Sequence, residues 1–334
     1  MNPFKALLIE DRDGKTVAGF VDLDEDALDP GEVTLRVAYS SVNYKDALAA
    51  TGAGRIIRRF PCVGGIDMAG TVEKSADPRF APGDRVIATS YDLGVARHGG
   101  YAQFARVPAD WVVPLPAGLS LYEAMALGTA GFTAALGLVR MEENGLTPQK
   151  GPVLVTGATG GVGSLAIDML AARGYRVSAL TGKESEADYL KDLGASEILL
   201  RSSVDLSRVR PLERARWAGA VDNLGGDYLA WIASSMEPGG TIASIGLAAG
   251  MNLNMTVAPF ILRGVSLLGI DSGYVGEPYR HGVWLRLASD MKPRHLAGMS
   301  RMVAFADLPQ VFPEFIAGRA KGRVVVEIGG EAHG

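Results

Sequence analysis

Apolar and polar positions follow two different rhythms along the chain. From Lys5 to about Pro116 the apolar residues fall in short runs such as Val33-Thr34-Leu35-Arg36-Val37 and Arg85-Val86-Ile87-Ala88, broken by Pro-Gly and Gly-Asp turns. Short β-like runs between turn residues predict a mainly β lobe. After Glu123 the rhythm becomes apolar strand, glycine turn, amphipathic helix and apolar strand again, which predicts parallel βαβ units. The first of these strands is Pro152-Val153-Leu154-Val155-Thr156. Val162, Leu165, Ala166, Met169 and Leu170 then recur at helical spacing, and Gly174 is expected just past the helix end. Val177-Ser178-Ala179-Leu180 reads as the second strand, with others expected at 197–200, 220–223, 241–245 and 266–270. Six such strands predict a doubly wound parallel sheet of the dinucleotide-binding kind. From Asp271 onward the chain is expected to return to the first lobe.

Length and composition fit this division, since 334 residues, 48% of them apolar, exceed one ordinary domain. With 33 basic against 37 acidic residues the charge is nearly balanced, so neither nucleic acid nor a membrane is an expected partner. The longest uncharged stretch lies between Glu123 and Arg140. It is short for a bilayer span and carries Gly128, Gly131 and Gly137, so a buried interdomain helix is expected. The first apolar stretch ends at Glu10 and Asp11, too soon for a secretory signal, and a cytoplasmic location is expected. The single cysteine, Cys62, excludes an internal disulfide and a multi-cysteine metal site, and beside Pro61 and Val63 it reads as a small buried apolar residue. The histidines at 98, 281, 295 and 333 lack ligand spacing, so no metal site is expected.

The chemistry first shows in the turn after the first parallel strand, Gly157-Ala158-Thr159-Gly160-Gly161-Val162-Gly163. Missing side chains let a backbone approach a pyrophosphate, and a helix N-terminus offers unpaired N–H groups and partial positive charge. Ala158 departs from the strict glycine pattern, and a tight turn without ligand is the alternative. A site specific for NAD would place an acidic residue at the end of the second strand, whereas here that end reads Thr181-Gly182-Lys183. Threonine and lysine suit a 2′-phosphate, with Arg201 after the third strand as a second charge partner, so NADPH is the expected cofactor. Thr181 and Glu184 also form a T-x-x-E capping box, which would give Thr181 a structural role.

Further segments carry a resemblance. Asn43-Tyr44-Lys45-Asp46, Gly64-Gly65-Ile66-Asp67-Met68-Ala69-Gly70, Pro82-Gly83-Asp84-Arg85-Val86, Gly99-Gly100-Tyr101-Ala102 and Gly128-Thr129-Ala130-Gly131-Phe132-Thr133-Ala134 precede the glycine turn. Their order resembles that of zinc-free, quinone-oxidoreductase-like members of the medium-chain dehydrogenase/reductase superfamily. The wording is closest to the acrylyl-CoA reductase branch at residues 43–48, Ile57-Arg58-Arg59-Phe60-Pro61, Pro259-Phe260-Ile261-Leu262-Arg263 and Gly269-Ile270-Asp271-Ser272. The resemblance implies an α/β protein with a GroES-like β-rich catalytic lobe and a Rossmann domain. The implied division is 1–125 catalytic, 126–270 NADPH-binding and 271–334 catalytic again, usually in a homodimer. Zinc-containing relatives begin their metal site where Tyr44 stands, and their Gly-His-Glu segment resembles Gly65-Ile66-Asp67.

Such an enzyme adds hydride to the β-carbon of an unsaturated thioester, after which the enolate must be stabilised and protonated at the α-carbon. Tyr44 is the first candidate, as proton donor or as a wall orienting ring and substrate; a packed tyrosine is the alternative. Asn43 would position Tyr44 or donate to the carbonyl, unless it only forms a turn. Thr133 is a candidate nicotinamide contact, though a helix-internal hydroxyl is the simpler reading. Thr159, Gly160, Gly161, Val162 and Gly163, with Thr181, Gly182, Lys183 and Arg201, are the candidates to hold the nucleotide, and Tyr44 is a further candidate beside its nicotinamide. By the resemblance Leu247 and Ser272 would border its nicotinamide half. Arg323 would reach its phosphates or amide, unless it is a solvated edge charge. Arg58 and Arg59 are candidate anchors for coenzyme A phosphates. The leading expectation is reduction of acrylyl-CoA to propanoyl-CoA, with a small acyl-CoA as substrate. Quinone or free enone reduction, and a non-catalytic cofactor-binding protein, are the alternatives.

Overall fold

The computed structural model describes residues 2–329, and the chain forms two compact units. One contains the described residues up to Thr129, then Gly273–Gly282, and those from Leu296 on; the other contains Ala130–Ser272 and Val283–His295.

The first unit is built on β-sheets. Phe4–Arg12 pairs antiparallel with Lys15–Leu23 and with the short strand Cys62–Val63. The larger sheet runs in the order Ser300–Ala304, Arg323–Glu327, Val33–Val42, Asp67–Ser75, Arg85–Thr89 and Val112–Pro114, and Phe104–Val107 also pairs with Val33–Val42. Val33–Val42 is buried along almost its whole length, with Arg36 its one exposed residue. It has three strand partners, so even its polar residues Thr34, Ser40 and Ser41 are enclosed.

The second unit is a six-stranded parallel sheet in the order Ala195–Leu200, Val177–Thr181, Val153–Thr156, Trp217–Asp222, Met236–Ser244 and Ser266–Gly269. In chain order this is 3-2-1-4-5-6, the doubly wound dinucleotide-binding arrangement that the apolar runs predict. Val153–Thr156 is fully enclosed, and the helix Gly161–Ala172 buries residues 163 to 170. Gly174 follows that helix at φ +82°, the left-handed conformation expected past a helix end.

The path after Asp271 is less simple than the sequence suggests, because Val283–His295 clusters with the second unit. Trp284 is fully buried there and stacks on Phe132 with ring centroids 5.9 Å apart. Arg173 bridges Glu142 at 2.9 Å and Asp290 at 2.6 Å, and the backbone N–H of His295 donates to Asp168 at 2.8 Å. None of these partners is local in sequence, so periodicity gives no sign of them.

The helix Leu121–Glu143 has 89% of its most apolar window buried, as fits a core helix rather than a bilayer span. It breaks at Gly128, whose φ of +52° and ψ of −156° lie in a region essentially reserved for glycine. A Cβ at that position would lie 2.6 Å from an Asp67 carboxylate oxygen and 2.9 Å from both Arg323 and Ser41. Intrinsic propensity would favour alanine in a helix by about 1 kcal/mol. The strain and the clash reverse that sign, so Gly128→Ala should lower the midpoint of thermal unfolding. An unchanged or raised midpoint would show that the break tolerates a side chain.

Candidate active site

In the second unit the turn after Val153–Thr156 is shaped by close backbone approach. A Cβ at Gly163 would sit 2.4 Å from the Gly157 carbonyl oxygen and 2.8 Å from the Ala158 Cα, so the helix can start this near the strand only with glycine there. Ala158 is fully buried and Thr159 nearly so, while Gly160 is exposed and Gly161 and Val162 are half-buried. Gly160 caps the helix without a side-chain hydrogen bond. The first-turn N–H groups therefore lack a side-chain acceptor, the arrangement that binds a phosphate.

At the end of the neighbouring strand the capping box read from Thr181 and Glu184 does not form. Glu184–Glu186 is a 3-10 turn without a side-chain cap, and the helix begins at Ala187. The Thr181 hydroxyl is buried and accepts the Lys183 backbone N–H at 3.0 Å, which closes a local turn at the end of the strand. Gly182 is exposed and lines an open cleft of about 410 Å³ with Glu184, Leu200, Arg201, Ser202 and Tyr228. Arg201 lies over the Tyr228 ring at 5.0 Å and donates to its hydroxyl at 3.2 Å. No carboxylate among the described residues comes within ion-pair distance of Arg201, which leaves its fork suited to a phosphate. Lys183 is half-buried beside Gly182. Leu247 is exposed, and Ser272 accepts the hydroxyl hydrogen of Thr133 at 2.7 Å, which makes Thr133 an internal buried hydroxyl.

In the first unit Tyr44 opens the helix Tyr44–Thr51 and is 52% exposed, so it is not the packed tyrosine of the alternative reading. Asn43 is the cap, with its backbone N–H donating to Asp46 at 2.8 Å. Its side-chain nitrogen donates to Asp67 at 2.8 Å and to Asp46 at 3.1 Å, while its oxygen accepts from Arg323 at 3.2 Å. The Asn43 amide is thus consumed internally and has no N–H left for a carbonyl. Arg323 is only 2% exposed and donates to the carbonyls of Ala126 and Val42, to Asn43 and to Ser41. It is therefore neither a solvated edge charge nor extended toward a nucleotide phosphate. Burial pulls its pKa below the ordinary arginine value, and Asp67, Asp46 and Tyr101 act in the opposite direction. Arg59 is closed on Asp29 through contacts of 2.6 and 2.8 Å, and Arg58 shares Asp92 with Tyr274, so both candidate coenzyme A anchors are already paired with a carboxylate.

Known proteins show the same two-part plan. Residues 29–117 match the alcohol dehydrogenase GroES-like domain, and residues 161–288 match the zinc-binding dehydrogenase family. The chain is 49% identical to acrylyl-CoA reductase AcuI of Ruegeria pomeroyi, over 97% of this chain and 99% of that protein. The chain belongs to the acrylyl-CoA reductase branch of the medium-chain dehydrogenase/reductase superfamily. It is also 53% identical to YhfP of Bacillus subtilis, which carries a quinone oxidoreductase name, over 89% of this chain and 90% of that one. The YhfP crystal structure with NAD bound has a TM-score of 0.96, covering 98% of this chain and all of that one at 50% identity. The YhdH oxidoreductase of Salmonella enterica in complex with NADP has a TM-score of 0.94 at 47% identity, covering 97% and 99% of the two chains.

Asp67 stands in the segment that resembles the Gly-His-Glu of zinc-containing relatives. Its carboxylate accepts hydrogens from Ser41, Asn43 and Thr129, a donor-filled setting with a buried arginine close by, which does not suit a cation. Among the described residues, no three histidine, cysteine or acidic side chains converge as metal ligands. His98 accepts the Val63 N–H at 2.9 Å, and His295 is bonded to Asp168; His333 lies outside the described residues. Cys62 is buried, and burial pushes its thiol up to about 12.

Sequence reasoning missed Asp67, Ser41 and Thr129 as one group, and it missed Tyr228. A lone aspartate in the apolar run Gly65 to Gly70 and paired serines in a buried strand were the available signals. Tyr228 is 27 positions from Arg201, with no local pattern joining them.

The pH behaviour of Asp46 follows from this geometry. Burial, and then the neighbouring Asp67 carboxylate, push its pKa up to about 7, against the N–H donors of Asn43 and Ile66. A raised folded pKa gives stability that is fully present below the ordinary carboxylate value and lost as pH climbs through about 7. Compared with Asp46→Asn, the natural protein should lose thermal stability between pH 5 and pH 8. A difference that stays flat or grows in its favour over that window would contradict the assignment.

Proposed function

We propose that this chain reduces the carbon–carbon double bond of acrylyl-CoA to give propanoyl-CoA, with NADPH as reductant. The observation that carries this reading is near-full-length identity of 49% to an acrylyl-CoA reductase. The cleft at Gly182 and Arg201 supports the cofactor choice, since a guanidinium without a carboxylate partner fits a 2′-phosphate better than a bare ribose hydroxyl. The unit containing the parallel sheet is the nucleotide-binding one. Backbone N–H groups of Gly161, Val162 and Gly163 hold the pyrophosphate, and Arg201 with Lys183 holds the 2′-phosphate. Leu247 and Ser272 line the nicotinamide half.

When bound, NADPH supplies the hydride, which goes to the β-carbon and leaves negative charge on the thioester oxygen. The chain must orient the acyl group, exclude water and deliver a proton to the α-carbon. Tyr44 is the side chain proposed for that delivery or for orienting the substrate, because its phenol is exposed on the first turn of its helix. Asn43 serves by holding Tyr44, since its own amide is already bonded on every side.

The identity to YhfP supports a second reading, reduction of a quinone or a free enone in the same site. The two separate on truncation. If the coenzyme A portion contributes binding energy, replacing it by a short thioester should lower kcat/KM for the unsaturated acyl group by at least ~10-fold. Equal kcat/KM with the truncated thioester, or faster turnover of a quinone, would favour the second reading.

Cofactor choice has its own test. Arg201→Ala should raise the dissociation constant of NADPH at least ~10-fold and that of NADH little, as expected for loss of a charge-assisted phosphate contact. Equal effects on both cofactors would remove Arg201 from the 2′-phosphate site.

We also propose a homodimer formed by the second unit. Its sheet ends at the edge strand Ser266–Gly269, and Met251, Val257, Ile261 and Leu262 are exposed on the preceding loop and helix. An open edge beside exposed apolar side chains fits a second copy of the same surface. Light scattering should give twice the 35.1 kDa chain mass, and Ile261→Glu should shift it to a single chain. A natural protein that scatters as one chain would contradict the proposal.

A further inference from the structure

We propose that Asp67 is a positioning residue for the reduction, acting through Asn43 on Tyr44. The inference rests on the reading that Tyr44 serves the reaction. Asp67 is fully buried at the start of the strand Asp67–Ser75. Its two oxygens accept hydrogens from the Ser41 hydroxyl at 2.6 Å, the Asn43 amide at 2.8 Å, the Thr129 backbone N–H at 3.0 Å and the Thr129 hydroxyl at 2.5 Å. Three of these donors meet Oδ2 and the fourth, the Thr129 hydroxyl, meets Oδ1, so both carboxylate oxygens are engaged. The donors come from three places: the end of strand Val33–Val42, the cap of helix Tyr44–Thr51, and the helix residue just after the break at Gly128.

The Asn43 amide has one orientation that satisfies its neighbours. Its nitrogen faces the carboxylates of Asp67 and Asp46, and its oxygen faces the Arg323 guanidinium. Turning it over would set oxygen against two carboxylates and nitrogen against a cation, so the network fixes it. Tyr44 is the next residue in the chain and the first of the helix, and the placement of its Cα follows from that cap. Arg323 balances the buried charge through Ser41 and Asn43 rather than by direct contact with Asp67. An asparagine at position 67 has the size of aspartate but no charge, so its one oxygen holds Ser41, Asn43 and the Thr129 N–H more weakly, and its amide nitrogen makes the Thr129 hydroxyl turn from donor to acceptor. The cap then loosens while the rest of the unit keeps its shape.

The test is a double-mutant cycle of Asp67→Asn and Tyr44→Phe. It is run with whichever of acrylyl-CoA, a quinone or a free enone the natural protein turns over fastest, so that a wrong substrate assignment does not affect it. Asp67→Asn should lower kcat by ~10- to 100-fold, the scale of losing a well-placed catalytic group. The dissociation constant of NADPH should stay within about twofold, because the nucleotide turn belongs to the other unit. In the Tyr44→Phe background the same change should cost less than about threefold, since a residue that acts by placing the phenol hydroxyl has little left to place. The proposal is overturned if Asp67→Asn leaves kcat unchanged, or if its effect multiplies in full on Tyr44→Phe. If Tyr44→Phe alone turns over at the natural rate, the role of Tyr44 fails, and the proposal fails with it. Should Asp67→Asn not fold, Ser41→Ala takes its place. That change removes one Asp67 donor and one Arg323 acceptor, and it should give a smaller fall in kcat that again vanishes on Tyr44→Phe. An undiminished or fully multiplicative result for Ser41→Ala overturns the proposal equally.

Discussion

A guanidinium and two carboxylates withdrawn from water must be matched bond for bond, and the β-rich unit is organised around meeting that requirement. Arg323, Asp46 and Asp67 are all at most 2% exposed. Taking a charged group out of water costs several kcal/mol unless hydrogen bonds replace the lost solvation, and Asp46 meets part of that cost by holding its proton up to about pH 7. Ser41, Asn43, Thr129 and the carbonyls of Val42 and Ala126 provide those bonds. The break in the long helix at Gly128 follows from the same cause, because a side chain there would displace Asp67, Arg323 and Ser41 together. Three strands, one helix cap and one helix kink are thereby tied to one small polar centre. The exposed phenol of Tyr44 stands one residue from it.

The other unit depends on the opposite device, the removal of side chains. Its strand-to-helix turn brings Gly163 against the Gly157 carbonyl with no room for a Cβ, and the helix N-terminus is left without a side-chain cap. A neighbouring cleft adds one arginine steadied by a tyrosine ring and hydroxyl. Backbone dipoles and the charges of Arg201 and Lys183 are what the proposed nucleotide site rests on, in line with membership of a nicotinamide-dependent superfamily.

Much of the fold was legible because it rests on local periodicity. All six parallel strands, the helix after the glycine turn and its glycine stop follow from apolar spacing, and the buried helix at 121–143 from its glycines and length. The candidate site can be proposed from sequence where its residues lie contiguous in the chain, as in Gly157 to Gly163, Asn43-Tyr44 and Gly182. It was not legible where the physics is long-range. Arg323 is expected to reach the cofactor, with a solvated edge charge as the alternative, yet its partners lie near 200 and 280 positions away inside its own unit. Arg58 and Arg59 read as open phosphate anchors, yet Asp92 and Asp29 already hold them. Thr181 and Glu184 have the letters of a capping box, but the helix starts later and the hydroxyl closes its own turn. In each case the residue type was informative about what bond it would make, and uninformative about with whom.

In the proposed reduction hydride goes from the nicotinamide to the β-carbon of acrylyl-CoA and a solvent-derived proton goes to the α-carbon. The most direct measurement is the position of label in the product formed with NADPH carrying deuterium on the transferred position of its ring. The expected product is propanoyl-CoA with deuterium on the β-carbon alone, and with deuterium on the α-carbon when unlabelled cofactor is used in heavy water. Cofactor deuterium on the α-carbon, or no transfer to the acyl group while a quinone is reduced, would contradict it.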